Sequence, residues 1–359
     1  MDYKIKEFNL HITEHCSGHC PMCYATDEKL PRKHGSIEKL KLIVHNAVAN
    51  GKVERFVMVG GDPCEHPNLV ELLKFIKDEG KKFNVNTKAM VISNTHDYKE
   101  NGKPVEIEEI AEYIDGLCFT VHSDNEKEHD KFNGCIGSYK HAIENISKYA
   151  KVKKKNQEIC IIINLMPQTV NKLEDIMINI DKDLNGCVDG FAIQRIAPIG
   201  RACGSEKYFV DVLGRPCEQL EWDMKLWWVH NEVLISTLLA YAVTKDKKYW
   251  DMLYKGGCNW GTDYCAVFAD GTISRCAMSE KKLSKNVTEL DTPEKFKDFW
   301  QNDSELIKFR NKEHLDEKCK SCKLLKECGG GCVLARNTGD PYKMDPPLKG
   351  HDYLAKRNN

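Results

Sequence analysis

The stretch "FNLHITEHCSGHCPMC", residues 8–23, joins a short apolar strand to three closely spaced cysteines, Cys16, Cys20 and Cys23. Structural zinc sites and electron-transfer iron–sulfur clusters are normally closed by four protein ligands. Three thiols in one loop therefore predict an iron site with one open position. Two alternatives stand beside this interpretation: a fourth ligand from elsewhere in the chain, or three cysteines that pack as small apolar residues.

The same strand begins a regular alternation of short apolar segments and amphipathic segments. Helices are expected after Ser36, after Asn68 with an end at Gly80, and over residues 140–150. Such βα alternation is typical of a parallel sheet or barrel. We therefore predict an α/β fold with a partial (β/α)6, TIM-like barrel over residues 1–205. Its expected strands are 8–12, 55–60, 89–93, 117–121, 159–165 and 190–196.

The sequence changes character after the sixth predicted strand. Residues 206–257 show a helical pattern without a strand partner, and we interpret them as a helical bridge. From Cys258 onward the chain is rich in cysteine, glycine and turn-forming residues, which is typical of a small domain built around metal. We therefore expect a separate, small metal-binding domain over residues 258–359.

Composition excludes several classes of function. The chain has 53 basic and 54 acidic residues among 359, so no overall field favours nucleic acid or an anionic membrane surface. The longest apolar run, residues 233–243, is shorter than the ~20 residues that span a bilayer. An odd number of cysteines, 17, fits a reducing compartment, where they act as metal ligands or free thiols. We expect a cytoplasmic protein without a nucleic-acid or membrane partner.

A second motif follows the second predicted strand as "GGDP", residues 60–63. Gly60 and Gly61 allow the backbone to approach a ligand closely, and Asp62 can accept a hydrogen bond from an amine. Functional loops of parallel βα folds lie beyond the carboxyl ends of the strands, so this motif and the three cysteines are expected at the same end of the barrel.

Together, the cysteine loop and the "GGDP" motif resemble those of the radical S-adenosylmethionine (radical SAM) enzymes. This resemblance implies that Cys16, Cys20 and Cys23 hold a [4Fe–4S] cluster, whose fourth iron is chelated by the methionine part of S-adenosylmethionine. It also implies reductive cleavage of that cofactor to a 5′-deoxyadenosyl radical, which abstracts hydrogen from a substrate. The electron would come from an external donor such as flavodoxin or ferredoxin.

The resemblance extends to further positions. It implies that Met22 lies beside the adenine, and that Gly60, Gly61 and Asp62 face the methionine amine. A ribose contact from Ser123 or Asp124 is expected, although both residue types also simply favour turns. Other stretches typical of the family are "ISNT" with Ser93 and Asn94, and "PIGRA", residues 198–202.

The C-terminal cysteines resemble the SPASM auxiliary-cluster domain of peptide- and protein-modifying radical enzymes; a zinc ribbon is the competing interpretation. By analogy, one or two auxiliary [4Fe–4S] clusters are expected. The first would be held by Cys258, Cys265, Cys276 and Cys332, and the second by Cys319, Cys322 and Cys328.

The second set lacks a ligand, because Leu348 stands where relatives carry a further cysteine. Asp345, His351, solvent or substrate would fill that position, or else the second cluster is labile or absent. A further departure is Ala277, which replaces the aspartate base of sulfatase-maturing members and disfavours their reaction.

Three other residues were considered for chemical roles. Cys64, directly after "GGDP", is a candidate hydrogen donor, with packing as the alternative. For His122 and His129 we favour hydrogen-bonded loop positions over acid–base catalysis.

The predicted function is radical modification of a peptide or protein, most plausibly a crosslink or thioether in a ribosomally made precursor. The chain begins directly at the first strand, and we therefore expect either a separate leader-peptide recognition protein or a small-molecule substrate such as a tetrapyrrole. A third alternative is an iron–sulfur protein that only relays electrons or senses.

Overall fold

The computed structural model describes residues 4–24, 32–50, 53–94, 105–169, 172–196, 200–202, 260–279, 282–321 and 325. The predicted bridge over residues 206–257 lies outside these residues. So do several predicted ligand positions, namely Cys258, Cys322, Cys328, Cys332, Asp345, Leu348 and His351.

All six predicted strands form, each within one residue of its expected bounds. The α/β prediction is therefore confirmed. The strands are β1 (Glu7–Thr13), β2 (Arg55–Gly60), β3 (Lys88–Ser93), β4 (Gly116–Thr120), β5 (Glu158–Leu165), β6 (Gly190–Arg195), β7 (Tyr264–Val267) and β8 (Ile273–Ser274).

Within the described residues these strands form one eight-stranded sheet, in the order β6-β5-β4-β3-β2-β1-β7-β8. The first six are parallel neighbours in sequence order, as a partial barrel requires. β7 also pairs in parallel with β1, with Glu7 opposite Tyr264, and β8 forms an antiparallel hairpin with β7. The segment that we expected to form a separate domain therefore begins by extending the sheet of the barrel.

Helices cover the outside of this sheet. α2 continues beyond the predicted end at Gly80 and ends at Asn84, which adopts the left-handed conformation with φ 54°. Gly80 is buried inside the helix, where a Cβ atom would lie 2.9 Å from the carbonyl oxygen of Val85. The helices are α1 (Ile37–Ala49), α2 (Leu69–Phe83), α3 (Ile107–Ala111), α4 (Glu126–Asn133), α5 (Ser138–Val152), α6 (Leu173–Asp183), α7 (Pro293–Asn302), α8 (Ser304–Arg310) and α9 (Glu317–Lys320).

The main hydrophobic core lies between the sheet and the helices. Phe8, Leu10 and Ile12 alternate along β1 and are fully buried in this core. Burying each such side chain contributes roughly 1.5–3 kcal/mol. The intervening residues of β1 point to the opposite face, where Glu7 accepts hydrogen bonds from Asn9 at 2.8 Å and Arg55 at 2.7 Å. β1 therefore carries an apolar face toward the helices and a polar face toward the interior of the barrel.

None of the helices within the described residues is long and apolar enough to cross a membrane.

Candidate cofactor site at the carboxyl ends of the strands

The three cysteines after β1 lie together in the structure. Burial, followed by the charges of Asp62 and of the other two thiols, raises the pKa of Cys16 well above its usual range. Burial and the neighbouring Cys23 thiol raise the pKa of Cys20 to about 12, while Arg201 opposes this shift. Without a cation the thiols of Cys16 and Cys20 therefore stay protonated, and binding to a positively charged metal would deprotonate them.

The glycines after β2 hold the backbone of the cysteine loop. The N–H of Gly61 donates to Thr13 O, and the N–H of Asp62 donates to His15 O, both at 2.7 Å. A Cβ atom on Gly60 would lie 2.2 Å from Thr13 O, and one on Gly61 would lie 2.0 Å from His15 O. We predicted glycine here for close approach to a ligand; the structure shows close approach to the cysteine loop itself.

Asp62 is fully buried, and its carboxylate holds neighbouring loops together. Its oxygens accept hydrogen bonds from Ser93 Oγ at 2.8 Å, from the Asn94 N–H at 2.8 Å and from the Cys64 N–H at 2.9 Å. Asp62 and Ser93 therefore join the ends of β2 and β3. The expected contact between this carboxylate and an amine stays a prediction.

Asn94 links this network to the cysteines, since its Nδ2 donates to Cys16 Sγ at 3.1 Å. A side-chain amide that faces a thiol in this way can also donate to a metal-bound thiolate. The end of β3 was expected at the site, but the sequence did not indicate which atom Asn94 contacts.

Two arginines fix the backbone of the loop. Arg32 Nη1 donates to Cys16 O at 2.6 Å, and Arg201 Nη1 donates to Cys20 O at 3.1 Å. The Arg201 N–H donates to Cys23 O at 2.9 Å, and Gly200, with φ 59°, packs against the same carbonyl. Gly200 and Arg201, from the "PIGRA" stretch after β6, therefore hold the cysteine loop in place, a role that the sequence alone did not indicate.

Met22 is buried in a small apolar cluster beside the loop, packed with Phe132, Met166, Ile196 and Ala202. This position lies under the ends of several strands. Its expected contact with adenine stays a prediction.

Ser123 and Asp124 form internal contacts in the turn that precedes α4. Ser123 is fully buried, donates to Glu128 Oε2 at 2.8 Å and accepts from the Asn125 N–H at 3.1 Å. Asp124 accepts from Asn179 Nδ2 at 2.6 Å. These contacts support the turn-forming alternative and leave the ribose contact without support.

Cys64 is 3% exposed and packs in the main hydrophobic core. Burial and the Asp62 carboxylate raise the pKa of its thiol. This placement supports the packing alternative, and a role as hydrogen donor stays a prediction.

The two histidines after β4 are hydrogen-bonded, as expected. His129 Nδ1 accepts from the His122 N–H at 3.1 Å, and His122 Nδ1 accepts from the Asn164 N–H at 3.3 Å. Burial lowers the pKa of His122 to about 4, so that ring is neutral.

The described C-terminal cysteines occupy different environments. Cys265 lies on β7 in the main core, and its thiol donates to the carbonyl oxygens of Ala266 and Ser274 at 3.8 Å each. Its expected partners Cys258 and Cys332 lie outside the described residues, so the ligand role of Cys265 stays a prediction. Cys276 follows β8 and lies close enough to Tyr24 to help raise the pKa of that phenol, and Cys319 is buried in α9.

A cavity of about 180 Å³ lies between the cysteine loop and the β7–β8 hairpin. His11 lines it and stacks on Phe268, with ring centroids 4.5 Å apart, and burial lowers its pKa to about 4. Other lining residues are Thr13, Glu14, Tyr24, Gly60, Ala269, Asp270, Thr272, Ala277, Met278, Ser279 and Lys282.

Among the described residues, no three His, Cys, Asp or Glu side chains converge on a point where a single metal ion would sit. An iron–sulfur cluster spreads its irons over a cube, so its thiolates bind separate atoms and need not converge. The grouped thiols of Cys16, Cys20 and Cys23, with the Asn94 amide facing Cys16, therefore fit a cluster better than a mononuclear ion.

Residues 10–178 match the model of the radical SAM superfamily, and residues 258–323 match the SPASM model of an iron–sulfur cluster-binding domain. The two matches confirm the predicted combination of a region similar to the radical SAM superfamily with a C-terminal region similar to the SPASM domain. They also support the predicted cofactors, iron–sulfur clusters and S-adenosylmethionine.

Curated relatives match only parts of this chain. An S-adenosylmethionine-dependent nucleotide dehydratase from Selenomonas ruminantium is 25% identical over 185 residues, which covers 50% of this chain and 61% of the relative. An N-acylglucosamine 2-epimerase from Mus musculus is 44% identical over 48 residues, which covers 13% of this chain and 12% of the relative. The chain therefore spans less than two thirds of the length of either protein.

Solved structures resemble the chain over most of its length. SuiB from Streptococcus suis, bound to its precursor peptide SuiA, gives a TM-score of 0.66 at 16% identity and covers 96% of this chain and 74% of that one. The structure of anSMEcpe with bound AdoMet gives 0.62 at 17% identity, with 97% and 94% covered. At these identities the comparison confirms the fold, a radical SAM barrel with its C-terminal extension.

Proposed function

We propose that this protein is a radical SAM enzyme that cleaves S-adenosylmethionine reductively and modifies a precursor peptide, forming a crosslink or thioether. The observation that carries the proposal is the loop of Cys16, Cys20 and Cys23, whose grouped thiols are fixed by the ends of β2, β3 and β6. Three ligands from one rigid loop leave one iron for a small chelating cofactor. When bound, the cluster and S-adenosylmethionine would supply an electron and a 5′-deoxyadenosyl radical.

In this proposal the residues of the chain bind and orient. Cys16, Cys20 and Cys23 would hold the cluster, while Arg32 and Arg201 fix the carbonyl groups of the loop. The buried surroundings of the thiols exclude water, which protects a reactive radical from side reactions.

Two similar structures support a peptide substrate over a tetrapyrrole: SuiB was solved with a precursor peptide, and anSMEcpe with the Cp18Cys peptide.

The first test is anaerobic reconstitution of the full chain, reduction with dithionite and measurement of 5′-deoxyadenosine. We expect release in the wild type and none in the Cys16→Ala variant. An iron–sulfur protein that only relays electrons would release none in either case, and this result would reject the proposed chemistry.

A second assay addresses the substrate. A panel of cysteine-containing peptides is compared with a tetrapyrrole and with a nucleotide under the same conditions. A crosslink or thioether removes two hydrogen atoms from a peptide, so the product is identified by mass spectrometry. Turnover of the tetrapyrrole or the nucleotide, with all peptides unchanged, would favour the small-molecule alternative.

The proposal includes an external electron donor. Reduced flavodoxin or ferredoxin should replace dithionite in the 5′-deoxyadenosine assay. Peptide turnover that depends on dithionite and fails with both proteins would remove them as donors.

A further inference from the structure

Two of the three cysteine thiols face a side-chain amide. Asn94 Nδ2 lies 3.1 Å from Cys16 Sγ, and Asn133 Oδ1 lies 3.4 Å from Cys20 Sγ, where it accepts from the neutral thiol. Asn94 follows β3, whereas Asn133 is the last residue of α4, so the two amides reach the loop from different elements. A thiolate that binds iron can only accept hydrogen bonds, and the orientation of each amide therefore decides whether it attracts or repels the thiolate.

The orientation of Asn94 is supported by a hydrogen bond between its backbone and Asp62. Its backbone N–H donates to Asp62 Oδ2 at 2.8 Å, and the same carboxylate accepts from the preceding Ser93 hydroxyl. Because Asp62 is fully buried, this anchor is rigid and fixes the backbone from which the amide extends. The NH2 group of Asn94 is thus presented to Cys16.

The orientation of Asn133 follows from the tautomer of His129. His129 Nδ1 accepts the backbone N–H of His122 at 3.1 Å, so Nδ1 carries no hydrogen. The hydrogen of the ring must then be on Nε2, which lies 2.7 Å from the Asn133 amide. Two donors cannot face each other at this distance, and the atom of Asn133 beside Nε2 is therefore its oxygen. The side-chain amide of Asn133 is therefore reversed relative to the orientation in which Oδ1 faces Cys20, and its NH2 group is turned toward Cys20.

Ser138 is compatible with this orientation. Its hydroxyl lies 3.3 Å from the same atom of Asn133 and 3.0 Å from Asp130 Oδ1, so it can donate to either. Asp130 also accepts from the N–H groups of Gly137 and Tyr139, and it stays satisfied if the hydroxyl turns away.

We infer that Asn94 and Asn133 are positioning residues that donate N–H hydrogen bonds to the thiolates of Cys16 and Cys20 and thereby raise the reduction potential of the cluster. The inference rests on the proposed function, which places a cluster at these thiols. Reduction adds negative charge that is shared by the ligand sulfurs, and donors to those sulfurs stabilise the reduced state. Asp62 exerts the opposite effect on Cys16, so the Asn94 amide partly offsets a nearby negative charge.

The test is an EPR-monitored redox titration of the anaerobically reconstituted full chain. The relevant signal is the one that disappears when Cys16, Cys20 and Cys23 are replaced by alanine. We expect a more negative potential in Asn94→Ala and in Asn133→Ala, with the larger shift in Asn94→Ala because its amide is closer to sulfur. His129→Phe should shift the potential in the same direction as Asn133→Ala, since it removes the donor that orients the Asn133 amide.

Asn179→Ala is the matched control, because Asn179 donates to Asp124 on the surface, away from the loop. The reduction potential of the cluster in Asn179→Ala should equal that in the wild type. Full iron content with unchanged potentials in both Asn94→Ala and Asn133→Ala would overturn the inference while leaving the proposed function intact. A wild-type chain without any signal that depends on the three cysteines would reject the proposed function itself.

A second measurement uses the wild-type protein, so it tests the inference even if the alanine variants fail to assemble a cluster. Wild-type protein reconstituted in D2O and in H2O is compared by ENDOR spectroscopy, which detects exchangeable hydrogens coupled to the cluster. Hydrogens donated by the two amides should give an exchangeable signal, and Asn94→Ser or Asn133→Ser should each weaken it. Absence of any exchangeable coupling in the wild type would also overturn the inference.

Discussion

Cys16 and Cys265 are both buried thiols beside β1, and they differ in the groups that face them. Cys16 lies in a loop, receives an N–H from Asn94 and shares its surroundings with two other thiols. Cys265 lies on β7 in the hydrophobic core, and its thiol faces the carbonyl oxygens of Ala266 and Ser274. Burial raises the pKa of both thiols. The two thiols therefore differ in the donors or acceptors beside them and not in burial, and we propose that this difference separates a ligand thiol from a packing thiol.

The sharpest test of this comparison removes all three thiols of the loop. Replacing Cys16, Cys20 and Cys23 by alanine should abolish release of 5′-deoxyadenosine and remove the iron of one cluster. Iron bound by the C-terminal cysteines should persist, because those ligands lie in a different part of the chain. Iron content equal to that of the wild type would contradict the assignment.

The next largest effect is expected from Gly61→Ala. Its new Cβ would lie 2.0 Å from the backbone oxygen of His15, so the cysteine loop must shift. Displacement of a reacting group by about 1 Å can reduce the rate about a hundredfold. We expect a loss of this order in release of 5′-deoxyadenosine.

Gly186→Ala is the control for this substitution, since Gly186 has φ 71° but no atom within 4 Å of the added Cβ. It should lower stability without changing iron content. If both variants lost cleavage to the same degree, backbone strain in general, and not contact with the loop, would be the cause.

A smaller effect is expected from Asp62→Asn. The amide has one acceptor oxygen, so at least one of the buried donors from Ser93, Asn94 or Cys64 loses its partner. An unsatisfied buried group costs about 1–3 kcal/mol. Urea denaturation of the apoprotein should show this loss of stability. The affinity for S-adenosylmethionine should also fall, because the cysteine loop would be less well ordered.

Asp181→Asn provides the comparison, because Asp181 accepts from the backbone of Val188 in a half-buried position. The free energy of unfolding should fall less in Asp181→Asn than in Asp62→Asn. Equal losses in the two variants would show that the Asp62 network contributes nothing specific to the site.

The smallest effect is expected from Cys265→Ala. Loss of a buried sulfur without a strong polar partner should cost about 1 kcal/mol in the free energy of unfolding. Iron content and release of 5′-deoxyadenosine should equal those of the wild type. A variant that loses iron would return Cys265 to the ligands of the auxiliary cluster and would break the comparison with Cys16.

The sequence predicted the strands well because strand periodicity is a local signal. β4 and β6, for example, form within one residue of the expected bounds. The cysteine loop and the glycines after β2 were also found, since each follows a strand that could be recognised. The grouping of these motifs at one end follows from parallel topology.

Contacts between distant residues were not predictable in the same way. Nothing local in the sequence indicates that Arg201 reaches back to Cys20, or that β7 pairs with β1. The position of Cys265 on a strand in the core was not indicated by its place in the cysteine pattern, because such a pattern does not reveal which face of a strand a side chain occupies. The hydrogen bonds of Asp62 were not predictable either, because its partners Ser93 and Asn94 follow another strand.

The pairing of β1 with β7 also affects the order in which the chain can fold. Glu7 lies opposite Tyr264, about 250 positions later in the sequence. At about 5–20 residues per second, a ribosome needs tens of seconds to synthesise this interval. During that time one edge of β1 lacks its neighbour, and its N–H and C=O groups are open to other strands. The strand that precedes the cysteine loop is thus among the first to be made and among the last to be enclosed.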